Sequence, residues 1–413
     1  MSRPILSTVV FFAVATAILG GMHYFLWARL VRDPALAEPW RRILTVALAL
    51  AAVSVPAGMF AWRFLPSGLS RAASALLFTW LGASFLLFSA LVAVEAVRWA
   101  GSAAAWLASL LREPGPPSDP SRRIFLARAA AASATLTAGG AAGLGFKTAI
   151  SDPVVREVPV SLERLPAALA GFSIAQISDL HVGPTIGEKE VRRVVELTNA
   201  ARPDAVVITG DLVDAPVAAL RQATQHLANL KAPQGVYFVT GNHEYYAGAA
   251  PWLEELRRYG IRVLRNERVT LGDRGPGGAS FDLAGVDDWS VARAEEGRWP
   301  ALARAVEGRD PDRALVLLAH QPRGLSEAIR SGVELQLSGH THGGQLFPWS
   351  LLVGAVFPYL KGLYHHAEAG RQGQIYVSCG TGYWGPPIRI GAPAEVARLV
   401  LTPGAPKVIS RAR

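Results

Sequence analysis

A single cysteine, Cys379, stands among 413 residues, which excludes an intrachain disulfide framework and any zinc or iron–sulfur site built from several thiolates. Charge is scarce as well: 18% of the residues are charged and 51% hydrophobic, with a mean hydropathy of +0.25. That balance is too apolar for an ordinary soluble protein and too charged for one wholly immersed in lipid, so a membrane part and a soluble part are expected. The net charge of +9 is unevenly placed, because residues 1–150 hold 13 basic and 5 acidic residues and residues 151–413 hold 28 and 27. The larger part therefore lacks the basic excess of a phosphate-tracking surface, which argues against nucleic-acid binding. A Gly-X-Y period, sustained heptads, internal repeats and long charged tracts are all missing, which disfavours collagen, coiled coil and disorder.

Long apolar runs are present instead. Residues 5–28, 43–62 and 72–94 carry no formal charge and are each long enough to cross a hydrocarbon core of about 30 Å. Trp27, Trp40, Trp62 and Trp99 lie near the expected ends, where interfacial aromatics belong. A fourth, weaker span is expected over 124–147. It follows Arg122 and Arg123 in an S-R-R-x-F-L pattern that resembles a twin-arginine export signal placed internally, the alternative being arginines that flank a membrane helix. Arg29, Arg32, Arg41 and Arg42 in the first loop and Arg98, Arg112, Arg122, Arg123 and Arg128 in the third outweigh Arg63 and Arg71 in the second. With four spans this charge bias places residues 151–413 outside the cytoplasm; with three it would place them inside.

From residue 151 the pattern changes to short β-like runs alternating with helical ones: 172–178, 188–201, 204–210, 236–241, 314–320 and the strand VELQLSG (333–339). This is an α/β pattern. Polar residues of metal-ligating type stand where these strands end: Asp179 and His181, Asp211, Asn242 with His243 and Glu244, His320, and His340 with His342. A divalent cation acting on phosphate uses oxygen and imidazole donors, and a pair of cations needs a carboxylate between them. In both Asp179-Leu180-His181 and His340-Thr341-His342 the one-residue gap sends two side chains to the same side of an extended segment.

In order and spacing, DLH (179–181), GDLVD (210–214), GNHEY (241–245), AHQP (319–322) and GHTHGGQ (339–345) resemble the successive motifs of the calcineurin-like metallophosphoesterase superfamily. The GHTHGGQ ending, GNHEYY and GVDD (285–288) are similar to its membrane-associated or twin-arginine-exported bacterial phosphohydrolases. The resemblance implies a β-sandwich flanked by helices, here preceded by an all-α membrane segment. It implies two divalent metal ions (manganese, iron or zinc), one held by Asp179, His181 and His342, and a second held by Asn242, His320 and His340, with Asp211 bridging. His243 would be the general acid, oriented by Glu244 or Asp214, and His243 and Asp211 would carry the catalysis. The implied substrate is a phosphate ester, either a phosphodiester or a related bond in lipid or envelope material. A lipid-precursor pyrophosphatase and a non-catalytic metal-binding membrane sensor are the alternatives.

Directly after the last motif comes an aromatic and aliphatic run, residues 346–364, followed by His365 and His366. Together with Tyr245 and Tyr246 it is expected to form an apolar rim that meets the membrane or the acyl chains of a lipid-like substrate; the alternative is that the run is core.

Overall fold

The computed structural model describes residues 3–61, 67–110, 119–273, 275, 277–292 and 300–406. Trp62, Arg63 and Arg112 of the sequence reading lie outside the described residues. The chain divides into two compact units, residues 1–147 with 385–388, and residues 148–384 with 389–413.

The first unit is helical. It contains α1 (Arg3–Trp27), extended by a π-helical turn over Ala28–Arg32, then α2 (Trp40–Ala61) and α3 (Ser67–Ser109), and most of α4 (Pro120–Ile150). Among the described residues four helices are long and apolar enough to cross a membrane. Helix α3 greatly exceeds the 72–94 run: its 43 residues reach roughly 65 Å at 1.5 Å per residue. Hydropathy falls at Glu95 and Arg98, but these two pair with each other one turn apart at 2.9 Å, and the Ala- and Trp-containing stretch beyond them keeps helix-forming residues. Leu26, Leu91 and Ala134 form a small buried cluster with Phe25 and Phe88 packed edge to face at 5.3 Å. His23 is buried, its Nε2 accepting from the Trp80 indole N–H at 3.0 Å and its Nδ1 donating to the Leu19 carbonyl at 2.8 Å, a helix-packing role.

The second unit is a two-sheet sandwich with helices outside. Its elements in chain order are β1 (Val154–Leu162), β2 (Ser173–Ile177), α5 (Glu188–Ala200), β3 (Ala205–Ile208), α6 (Val217–Thr224), β4 (Val236–Phe238), α7 (Asn242–Ala247), α8 (Ala249–Arg258), β5 (Arg262–Val263) and β6 (Glu267–Gly272). They continue with β7 (Ser280–Gly285), α9 (Trp289–Ala292), α10 (Pro300–Val306), β8 (Leu315–Leu318), α11 (Leu325–Arg330), β9 (Leu335–Ser338), α12 (Trp349–Val356), β10 (Gly362–Glu368), β11 (Arg371–Val377) and β12 (Glu395–Pro403). One sheet runs β1-β12-β2-β3-β4-β5 and the other β10-β11-β9-β8-β7-β6.

Alternation decides which side chains fill which layer. Val316 and Leu318 of β8 point between the sheets to meet Val207, Val239, Phe281 and Leu337, while Leu315 and Leu317 point outward to Leu302 and Ala305 of α10. Helix α5 buries Val191, Val194, Val195 and Thr198, the i, i+3, i+4, i+7 stripe of a helix laid on a sheet. Strands β2, β3 and β4 are mutually parallel, as are β7, β8 and β9, so the carboxyl ends of each set open toward loops at one rim. A crevice at the carboxyl ends of parallel strands is the usual ligand site of such sheets.

Candidate metal centre

Two residues past β2, β8 and β9 and three past β3, the chain delivers Asp179, His320, His340 and Asp211, with His181 and His342 two residues further along their loops and Asn242 opening α7. The loops after β2 and β3 are locked side by side: Asp179 N–H donates to Gly210 O at 3.0 Å, His181 N–H to Asp211 O at 3.1 Å and Val182 N–H to Leu212 O at 2.9 Å. Asp179, His181, Asp211, His340 and His342 all take left-handed backbone angles, with φ between 50° and 71°. L-residues seldom occupy that region, at a cost of order 1–3 kcal/mol each, and it persists only where surrounding contacts dictate it. Here it turns each side chain inward immediately after its strand ends.

Glu244 supplies much of that constraint. Its fully buried carboxylate accepts the backbone N–H groups of Asp211 (3.0 Å), Leu212 (2.8 Å) and Gly241 (2.6 Å), clamping the β3 loop to the start of α7. Burial, with Asp211 nearby, pushes the Glu244 carboxyl up to about 7. Asp179 Oδ1 accepts His340 N–H at 2.8 Å while its Oδ2 accepts the Ser178 hydroxyl at 2.5 Å, and Asp211 Oδ1 accepts His243 N–H at 2.9 Å while its Oδ2 faces His320, so each carboxylate ties two loops.

The donor atoms converge in three overlapping groups, each within 4.8 Å: Asp179 with His181 and His342; His181 with Asp211 and His243; Asp211 with His320 and His340. Asp211 belongs to two of them. His181 Nε2 and His342 Nε2 are 3.1 Å apart, and His320 Nε2 lies 3.2 Å from His340 Nδ1 and 3.1 Å from Asp211 Oδ2. His320 Nδ1 donates to the Thr209 carbonyl at 2.8 Å, which turns Nε2 toward Asp211 and His340.

Electrostatics splits each imidazole pair. Burial alone would lower His181, but Asp214 at 2.8 Å and the carboxylates of Asp211 and Asp179 outweigh it and raise it to about 9. His342 is held well below its ordinary value by burial and by His181. His320 is likewise raised, burial being overcome by Asp211, while burial and His320 bring His340 down to about 3. In each pair the imidazole facing the carboxylates is thus favoured in its charged form and its partner in the neutral form.

These residues fit two divalent cations. The donors are carboxylate, imidazole and amide oxygen, the set suited to such ions. Asn242 Oδ1, one residue before His243 at the start of α7, is buried with no hydrogen-bond partner, and a cation is the kind of group that would satisfy it. Cys379 contributes nothing, because burial and then Glu395 push its thiol up to about 11 and keep it neutral.

His243 stands at the opening, half-buried, its Nδ1 at 2.8 Å from the same Asp214 Oδ1 that holds His181. Edge-to-face contacts fix its ring against Tyr246 (5.3 Å) and Trp384 (5.7 Å). Tyr245 instead turns its hydroxyl to Thr240 at 3.1 Å. His365 and His366 lie on the edge strand β10, where His366 meets Ser326 at 3.3 Å and Tyr359 at 3.4 Å, so neither belongs to the converging groups.

Sequence reasoning passed over several contacts. Trp384 is held by Gln345, whose amide donates to its carbonyl and accepts its N–H, both at 3.0 Å. Phe357 packs edge to face on His340 at 5.2 Å. Arg389, fully buried, donates to the carbonyls of Cys379 and Ala392 behind His342. The closing glutamine of GHTHGGQ was the available pointer to Trp384; a lone arginine in a short apolar stretch offered none.

Residues 172–344 match the calcineurin-like phosphoesterase family. A bovine (Bos taurus) transmembrane protein with metallophosphoesterase domain is 35% identical over 369 residues, covering 88% of this chain and 80% of that protein. An uncharacterized metallophosphoesterase of Helicobacter pylori is 40% identical over 260 residues, 63% of this chain and 66% of its own length. One from Bacillus subtilis is 30% identical over 303 residues, 68% of this chain and 97% of its own.

Proposed function

The chain belongs to the calcineurin-like phosphoesterase family, whose members are metal-dependent hydrolases, and on that premise we propose a membrane-anchored, two-metal phosphodiesterase acting on lipid or envelope phosphodiesters. The observation that carries the two-metal reading is the set of three overlapping donor groups joined through His181 and Asp211; the buried, unpartnered amide oxygen of Asn242, next in sequence to His243, agrees with it. Asp179, His181 and His342 would hold one cation, Asn242, His320 and His340 the other, and Asp211 both. When bound, the pair supplies a hydroxide nucleophile near neutral pH and offsets the charge that builds on the phosphoryl oxygens.

The chain's own residues do the rest. His243 Nδ1–H donates to Asp214, so in the imidazolium form Nε2–H is the group that passes its proton to the departing oxygen, leaving a neutral ring with the Nδ1 proton in place. Asp214, its carboxyl held low by His181 and His243 against the effect of burial, accepts from both rings and orients them. Tyr246 and Trp384 hold the His243 ring edge-on and limit water around it.

Hydrolysis of an aryl phosphodiester and its matching monoester by the full chain, metal-free and with added manganese, tests this reading. His243→Ala should keep its metal and lose about 10²- to 10⁴-fold in diester turnover. Asp211→Asn should lose metal and activity together. Absence of turnover of either ester by a metal-loaded wild-type chain would favour the sensor alternative.

A further inference from the structure

The run after GHTHGGQ is core at its ends, where Leu346 is buried and Tyr359, Leu363 and Tyr364 pack on core clusters, but not over α12. Residues 346–360 contain no charged side chain, and within them α12 has no buried residue at all. Leu351 (64%), Leu352 (57%) and Val356 (66%) are open, with Phe347 and Trp349 beside them. The segment is nevertheless held firmly. At its start Phe347 N–H donates to Ile390 O at 3.2 Å, and at its end the Thr341 hydroxyl donates to Leu360 O at 2.6 Å. Phe357 returns to His340, covered on one side by the Arg323 guanidinium at 4.9 Å. An apolar helix is therefore fastened to a metal-loop residue and presented outward.

We propose that α12 and its flanking Phe347 and Trp349 seat in the interfacial layer of the bilayer that the chain's own helices span, holding the metal centre at headgroup level. Three observations favour a bilayer over a protein partner. Only residues 151–153 separate the end of α4 from β1, so a bilayer entered by the apolar helices is always within reach of this unit. The exposed face offers aliphatic groups and one indole but almost no hydrogen-bonding side chains, which suits lipid, whereas protein interfaces carry about one hydrogen bond per 100–200 Å². The charges bordering it are both basic and exposed, Arg323 stacked on Phe357 and Lys361 donating to the Gly391 carbonyl, so the rim of the apolar face is positive, which suits anionic headgroups. The seat stands without the phosphodiesterase reading; its consequence, selection of substrates embedded in the membrane, rests on that reading.

The test uses the full chain in nanodiscs containing phosphatidylglycerol, with Leu351→Cys or Leu352→Cys carrying an environment-sensitive fluorophore. Native Cys379 is buried, and the unsubstituted chain serves as the labelling blank. Lys231→Cys, exposed in the loop before β4 and so at the opposite strand ends, is the reference. Lipids brominated near the headgroup should quench the labels at 351 and 352 and leave that at 231 unchanged. Labels that report water regardless of bromination would overturn the seat. Labels shielded equally with and without bromine would also overturn it, assigning α12 to a second copy or a protein partner. The variant combining Leu351→Ser, Leu352→Ser and Val356→Ser should keep turnover of a soluble diester and lose about tenfold on a lipid diester in the disc. If the wild type cleaves neither ester, the catalytic reading fails while the quenching still decides the seat.

Discussion

His181 has to change protonation state for a metal to bind. Its value near 9 without metal lies above the ordinary histidine value, so the metal-free fold gains most from it below the unfolded value and loses that contribution as pH rises through about 9. A cation must displace the same proton. Metal affinity should therefore strengthen by at least about tenfold per pH unit between 6 and 8, as titrations with manganese would measure, because one or more protons leave per ion. A flat profile would mean that His181 is already neutral there. Most of the converging residues were legible in the sequence, because Asp, His and Asn recurring after β-like runs is a pattern that residue type alone carries. Their left-handed backbone was not, since nothing in the identity of Asp179 or His342 encodes φ. Trp384 and Phe357 were equally silent, being brought to the imidazoles by loops whose path depends on packing.

Loops set the spacing of the centre, and one glycine marks how tightly. Gly210 has φ of 87°, and a Cβ there would collide with the backbone N of Gly241 and crowd the His320 ring. Gly210→Ala should part the loops bearing Asp211 and Asn242, lower the melting temperature by several degrees and weaken metal binding at least tenfold, readable by calorimetry and metal titration. The strands β2, β3, β4, β8 and β9 could be anticipated from short apolar runs ending in polar motifs. Strands β1 and β12 could not, since their pairing joins residues 154–162 to 395–403 and only the folded topology reveals it. Helix α3 shows the reverse limit: hydropathy delimits what lipid tolerates, while backbone propensity decides where a helix stops.

On the scale of the whole molecule, four apolar helices among the described residues and a sandwich domain share one chain, and the proposed orientation, drawn from the arginine bias among the loops, has the sandwich outside the cytoplasm. Under that orientation Lys231→Cys should react with a membrane-impermeant maleimide in intact cells, and labelling only after lysis would reverse it. The central claim is the two-metal phosphoester centre. Its most direct measurement is the metal content of the purified full chain, taken alongside diester turnover as manganese is added back to chelated protein. The account predicts two ions per chain at saturation, turnover rising with occupancy, and Asp211→Asn falling short of two. Full turnover in chelated protein, or with one ion per chain and an intact Asp211, would contradict it.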